Sequence, residues 1–111
     1  FFFALRKMEI QRFDFSDSVF VVALPSTGMC SVSFRLPHAQ LSLVGLKAMA
    51  KEEHKRIHKA DLDVSGNVCQ VAGDHLVPIT SDEHLKAVVK ALPLNEMGFA
   101  SALKARFGVK P

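Results

Sequence analysis

Residues 18–36 read SVFVVALPSTGMCSVSFRL, and this stretch decides the fold class. Its first part, Ser18 to Leu24, is apolar and rich in β-branched side chains, the composition of a buried strand. Pro25-Ser26-Thr27-Gly28 supplies turn chemistry: proline presets one backbone angle, and glycine accepts the left-handed region. From Met29 to Leu36 the pattern alternates. Cys30, Val32, Phe34 and Leu36 share one face, while Ser31, Ser33 and Arg35 share the other. A period of two marks a half-buried strand, so the two parts are expected to pair as a hairpin. Pro37-His38 ends it.

C-terminal to this stretch, residues 41–57 carry Leu43, Leu46, Ala50 and Ile57 on one helical stripe, with Ser42 placed as N-cap. Lys47, Lys51, Lys55 and Lys59 recur every four residues along another face. Residues 60–79 contain short extended pieces broken at Ser65-Gly66-Asn67 and Gly73-Asp74, with strands expected over 68–71 and 76–79. Pro78 has no N–H for a ladder, so its strand is expected at a sheet edge or to start late in the ladder. Thr80-Ser81-Asp82-Glu83 opens a second helix with a cap and first-turn carboxylates. Leu85, Val88, Val89 and Leu92 form its apolar face, and Pro93 ends it. Residues 95–107 read as a third helix, capped by Asn95 and closed by Gly108, with Phe99, Leu103 and Phe107 repeating every four residues.

Length and composition limit the function classes. The chain has 111 residues, which is one domain with enough core to need neither disulfides nor a metal. A hydrophobic share of 49% against 23% charged residues excludes an intrinsically disordered chain. There is no Trp or Tyr, but there are nine Phe. The net charge of +3 and pI near 9.1 allow acidic partners without requiring them. No apolar run approaches the ~20 residues of a membrane-spanning helix. Cys30 and Cys69, with no C-x-x-C, make neither a disulfide framework nor a thiolate zinc site; both are expected to be buried strand residues. Arg6, Lys7 and Arg12 against Glu9 give residues 1–13 the character of an organellar presequence remnant. Phe1, Phe2 and Phe3 read either as a floppy terminus or as a packed segment, for which a partner chain is a natural candidate.

The order hairpin, helix, short strands, helix is the ββαββα layout of the ubiquitin-like β-grasp. Two motifs make the likeness more specific. Val32-Ser33-Phe34-Arg35-Leu36-Pro37 ahead of a helix resembles the second strand of the Phox/Bem-type protein-interaction domain. Val77-Pro78-Ile79-Thr80-Ser81-Asp82-Glu83-His84-Leu85 resembles that family's last strand and helix start, and Gly73-Asp74 sits near its acidic turn. The similarity covers residues 19–92. It implies an α+β β-grasp domain over 18–92, after an extension at 1–17 and before an additional C-terminal amphipathic helix and tail at 93–111. It also implies a non-catalytic interaction module whose polar interface uses Arg35, Asp74, Asp82 and Glu83. The run Gly108-Val109-Lys110-Pro111 holds no diglycine, so a conjugated modifier is not expected.

His54 and His58 stand four apart, the spacing of helical metal ligands, but Lys55-Arg56-Ile57 lies between them and cations oppose a dication. A solvated basic face is the expectation there. The lysine stripe Lys47, Lys51, Lys55 and Lys59 would suit an anionic partner, although no aromatic residues interleave with it for base stacking. No phosphate-binding glycine loop, nucleophile elbow or paired carboxylate motif occurs. The expectation is therefore no enzyme, no cofactor and no metal. An apolar interface is expected at Phe99, Leu103 and Phe107, with intramolecular packing as the alternative. The chain is read as an intracellular accessory subunit that meets other protein subunits, in a mitochondrial complex or otherwise in the cytoplasm. The alternatives are a ribosomal-type nucleic-acid-binding protein, or a signalling adaptor that pairs head to tail through Arg35 and the Asp82/Glu83 region.

Overall fold

The structure, a computed structural model of the chain, describes residues 18–27, 30–94, 96–98 and 100–110. The expectations for residues 1–17, for the Asn95 cap and for Phe99 lie outside the described residues. The elements run β1 (Ser18–Leu24), β2 (Val32–Pro37), a 3-10 turn (His38–Gln40), α1 (Leu43–His58), β3 (Asn67–Ala72), β4 (His75–Ile79), α2 (Asp82–Lys90) and β5 (Leu103–Val109). The class is α+β: one five-stranded sheet and two helices.

The hairpin forms as the alternation predicts. Val19 lies across from Leu36, Val21 from Phe34 and Ala23 from Val32, all antiparallel. These six residues are buried, because residues directly opposite share a face of the sheet. Cys30 departs from expectation: it precedes β2 and is exposed.

Local chemistry fixes both helices. Ser42 accepts a hydrogen bond from the Gly45 amide at 3.0 Å, as its N-cap assignment requires. Ser81 does the same for the His84 amide, also at 3.0 Å. Asp82 accepts from the Leu43 amide at 2.8 Å, which ties the start of α2 to the start of α1. Leu46 and Ala50 are buried as expected, but the third buried position of α1 is His54, while Ile57 is 48% exposed.

The largest correction concerns the C-terminal stretch. Leu103–Val109 is a strand, not the end of a helix. A recurrence of four fits a period of two as well as one of 3.6, so Leu103 and Phe107 do not discriminate between them. Ala105 does: Leu103, Ala105 and Phe107 are all at 0% exposure, while Lys104 and Arg106 turn to the other side. The sheet order is β2-β1-β5-β3-β4, with β5 parallel to β1 and antiparallel to β3. The stretch expected as an appended helix and tail beyond residue 92 thus supplies the middle strand of the sheet.

Gly108 therefore lies in β5 rather than beyond a helix. Its φ is +73°, and a Cβ there would meet the Asp63 carbonyl oxygen at 2.9 Å. Gly66 is the counterpart, with φ of +75° and a Cβ site 2.6 Å from the Val109 carbonyl oxygen. The two glycines let the segment entering β3 close on β5, where the register shifts between Asn67 and Cys69.

Candidate interaction surface

Both helices lie on one side of the sheet. Leu46 and Ala50 of α1 and Leu85 of α2 share a single core cluster with residues from all five strands. The alternate residues of each strand face away from that core. Following the register across the sheet, Arg35 lies across from Phe20, and Val22 sits between Ser33 and Lys104. Leu24 lies across from Arg106, Arg106 from Cys69, and Cys69 from Pro78. No helix covers these rows among the described residues. Phe20 is 48% exposed and Leu76 of β4 is 44% exposed.

The charge on this face is of one sign. Arg35, Lys104 and Arg106 contribute cations, and no carboxylate stands among its described residues. Arg106 is anchored by donation to the Pro25 carbonyl at 2.8 Å. Cys69 is buried on the same face, and that burial pushes its thiol pKa up.

The expected polar set is not brought into one surface. Arg35 belongs to β2 and Asp74 to the β3–β4 turn, and β2 and β4 are opposite edges of the sheet. The Asp74 side chain is 92% exposed, 3.4 Å from His75. Asp82 already caps α1 through Leu43, and Glu83 is exposed in the first turn of α2. The expected apolar set does not face outward. Leu103 and Phe107 are fully buried, so their packing is intramolecular and leaves nothing for a partner.

Three of the four stripe lysines contact their own chain. Lys47 donates to the Gly66 carbonyl at 3.4 Å, and Lys55 pairs with Asp61 at 3.4 Å. Lys59, the left-handed C-cap of α1, reaches back to the Arg56 carbonyl at 3.1 Å. Only Lys51 of the four projects into solvent without such a contact. Arg56 pairs with Glu53 at 2.7 Å, which raises the guanidinium pKa through that hydrogen bond and then the carboxylate's charge.

His54 corrects the expectation of a solvated face, being 6% exposed. Its Nδ1 lies 2.7 Å from the Ala60 carbonyl, and Nε2 of His58 lies 3.0 Å from the Ser31 carbonyl. A carbonyl only accepts, so both nitrogens carry the proton. The two histidines hold the end of α1 to the following loop and to the start of β2. A cavity of about 250 Å³ beside them is lined by Cys30, His54, Asp61 and Asp63. Among the described residues no group of three His, Cys, Asp or Glu side chains is placed to hold a metal ion. Asp63 accepts hydrogen bonds from the Ser65 hydroxyl and amide, which hold its pKa below the ordinary value.

The hairpin and the first half of α1 share a charge asymmetry that no single residue displays. Between Asp17 and Glu52 the sequence contains no carboxylate at all, only Arg35, Lys47 and Lys51 as formal charges. That run spans the hairpin and half of α1. Comparison with protein-family models, curated proteins and solved structures returned no match. No helix among the described residues is long and apolar enough to cross a membrane.

Proposed function

We propose that this chain is a non-catalytic protein–protein interaction module of the ubiquitin-like β-grasp type, resembling the Phox/Bem interaction domain, and that it serves as an accessory subunit of a larger protein assembly. The sheet order β2-β1-β5-β3-β4, with β1 and β5 parallel in the middle and α1 following the first hairpin, supports the β-grasp reading. The observation that carries the function is the sheet face opposite the helices, where Phe20 and Leu76 are exposed beside the cations Arg35, Lys104 and Arg106 and no helix lies over them among the described residues. Burying the exposed half of Phe20 is worth about 1 kcal/mol, which a partner surface would supply.

The test is Phe20→Asp in the tagged full chain, recovered under native conditions from its own cells beside the unsubstituted chain. The reading expects a stoichiometric set of co-purifying proteins with the natural residue, and loss of that set with Asp. An identical set from both chains, or none from the natural one, overturns it. Matching circular dichroism establishes that both chains are folded.

A second reading has one observation in its favour. Arg35 lies in the edge strand β2 and Glu83 is exposed in the first turn of α2, so the two members of a head-to-tail pair through Arg35 and the Asp82/Glu83 region stand on separate elements. It expects self-association that rises with concentration and is abolished by Arg35→Glu.

A further inference from the structure

A thiol and an imidazole share one cavity. Cys30 is exposed just ahead of β2 and lines the cavity of about 250 Å³ between the β1–β2 turn and the loop after α1. His54 lines the same cavity from α1. It is 6% exposed, yet one of its ring nitrogens is left over. Nδ1 donates to the Ala60 carbonyl at 2.7 Å, which sets the neutral tautomer with its lone pair on Nε2. Nε2 has no hydrogen-bond partner among the described residues, and none of their buried side-chain nitrogens or oxygens is sealed off without one. Nε2 therefore reaches open space, and the cavity is the space its ring lines. An acceptor held there without a partner is a place for a proton.

The same helix holds the thiol's strand. His58, one turn on, donates to the Ser31 carbonyl at 3.0 Å, so the residue after Cys30 is tied to α1. A nucleophile, a base and a group that orients the base are thus present as Cys30, His54 and the Ala60 carbonyl. The groups facing the His54 ring are His58, at 4.9 Å between ring centroids, and the cavity residues Cys30, Asp61 and Asp63. Asp61 is paired with Lys55, and Asp63 accepts from Ser65. No Lys or Arg lines the cavity among the described residues. Cys69, the second cysteine, is buried in β3 and does not line it either, so any disulfide made there has an external partner.

We propose that Cys30 and His54 form a thiol-exchange site, at which a small-molecule disulfide converts Cys30 to a mixed disulfide. The Cys30 thiol gives its proton to Nε2 of His54, directly or through one water. Its sulfur attacks one sulfur of the reagent. A new S–S bond forms to Cys30, the reagent's S–S bond breaks, and the departing thiolate takes the proton from His54. Cys30 is oxidised and the departing half is reduced, with no further reactant. The step uses neither Phe20 nor Leu76 and does not rest on the interaction-module reading.

The experiment reacts the full chain with hydroxyethyl disulfide, a neutral reagent, so that charge attraction plays no part. Adduct formation is timed by intact mass spectrometry and located by peptide mapping, for the native chain and for the chain unfolded in urea. At about pH 6.5 an ordinary thiol is almost wholly protonated, so a positioned base matters most there. Expected are a single native adduct on Cys30, formed at least tenfold faster than in the unfolded chain at that pH, and a smaller advantage at about pH 8.5. His54→Gln keeps an amide donor for the Ala60 carbonyl but accepts no proton, and it is expected to abolish the advantage while circular dichroism is unchanged. Native reaction no faster than unfolded overturns the proposal, as does an advantage that survives His54→Gln or a native adduct on Cys69. Should His54→Gln not fold, the natural chain decides: an advantage that is the same at both pH values also overturns it.

Discussion

Phe107→Ala and Phe20→Ala make a pair that tests the placement of β5. Both residues are phenylalanines in the same sheet. Phe107 is at 0% exposure in the middle strand, and Phe20 is 48% exposed on the open face. Truncating a buried Phe removes its transfer free energy and leaves a cavity, at a cost of about 3–5 kcal/mol. Phe20 forfeits roughly half of the ~1.5–3 kcal/mol for full burial and leaves no enclosed cavity, so about 1 kcal/mol is expected. A domain of this size has on the order of 5–15 kcal/mol of stability, so Phe107→Ala removes a large fraction of it. The assay is urea denaturation of the full chain followed by circular dichroism, with equal slopes required for comparison. A loss below about 1.5 kcal/mol at Phe107, or equal losses at the two positions, refutes the argument, because a residue serving a partner surface would behave like Phe20.

Four further outcomes follow from the geometry. Ser42→Ala and Ser81→Ala are each expected to cost about 1 kcal/mol by removing the caps of α1 and α2, measured by the same denaturation. Gly108→Ala is expected to cost more than the ~1 kcal/mol typical of a substitution, because it combines a left-handed backbone with contact against the Asp63 carbonyl; Gly73→Ala, with open space at its Cβ, costs only the backbone term. A thiol reagent is expected to label Cys30 in the native chain and Cys69 only after unfolding, with one and then two adducts seen by mass spectrometry. Asp63 has a lowered folded-state pKa, so its contribution to stability is fully present above the ordinary aspartate range and is lost as pH falls through that lowered value. Ser65→Ala is expected to raise the Asp63 pKa toward the ordinary value, followed by carboxyl NMR titration.

The legible parts of the fold were those where local chemistry and burial agree. The β1–β2 hairpin showed in the alternation of Val32, Phe34 and Leu36, and both helix starts showed in Ser42 and Ser81. Pro78 marked an edge because a missing N–H has the same consequence in any sheet. The C-terminal strand was not legible, since Leu103 and Phe107 at a spacing of four satisfy two periodicities, and only pairing with β1 and β3 selects one. That choice is tertiary, and it converted two expected surface anchors into core. His54 was misplaced for a related reason. Its imidazole meets a carbonyl six residues on, and that partner makes burial tolerable. The charge asymmetry was present in the sequence as a long interval without Asp or Glu, but only the structure places that interval, with β2 at one edge of the sheet, β1 beside it and the first half of α1 on the helix-covered side.

The most direct test of the central claim is the native size of the endogenous chain. Size fractionation of an untreated extract, with immunodetection and mass spectrometry of each fraction, reads it without tags or substitutions. An accessory interaction module elutes in a discrete peak far above its own 12.2 kDa, together with a constant set of proteins and unchanged by nuclease. Elution at the mass of a single chain contradicts the claim, and a large peak that collapses on nuclease treatment replaces it with a nucleic-acid-bound protein.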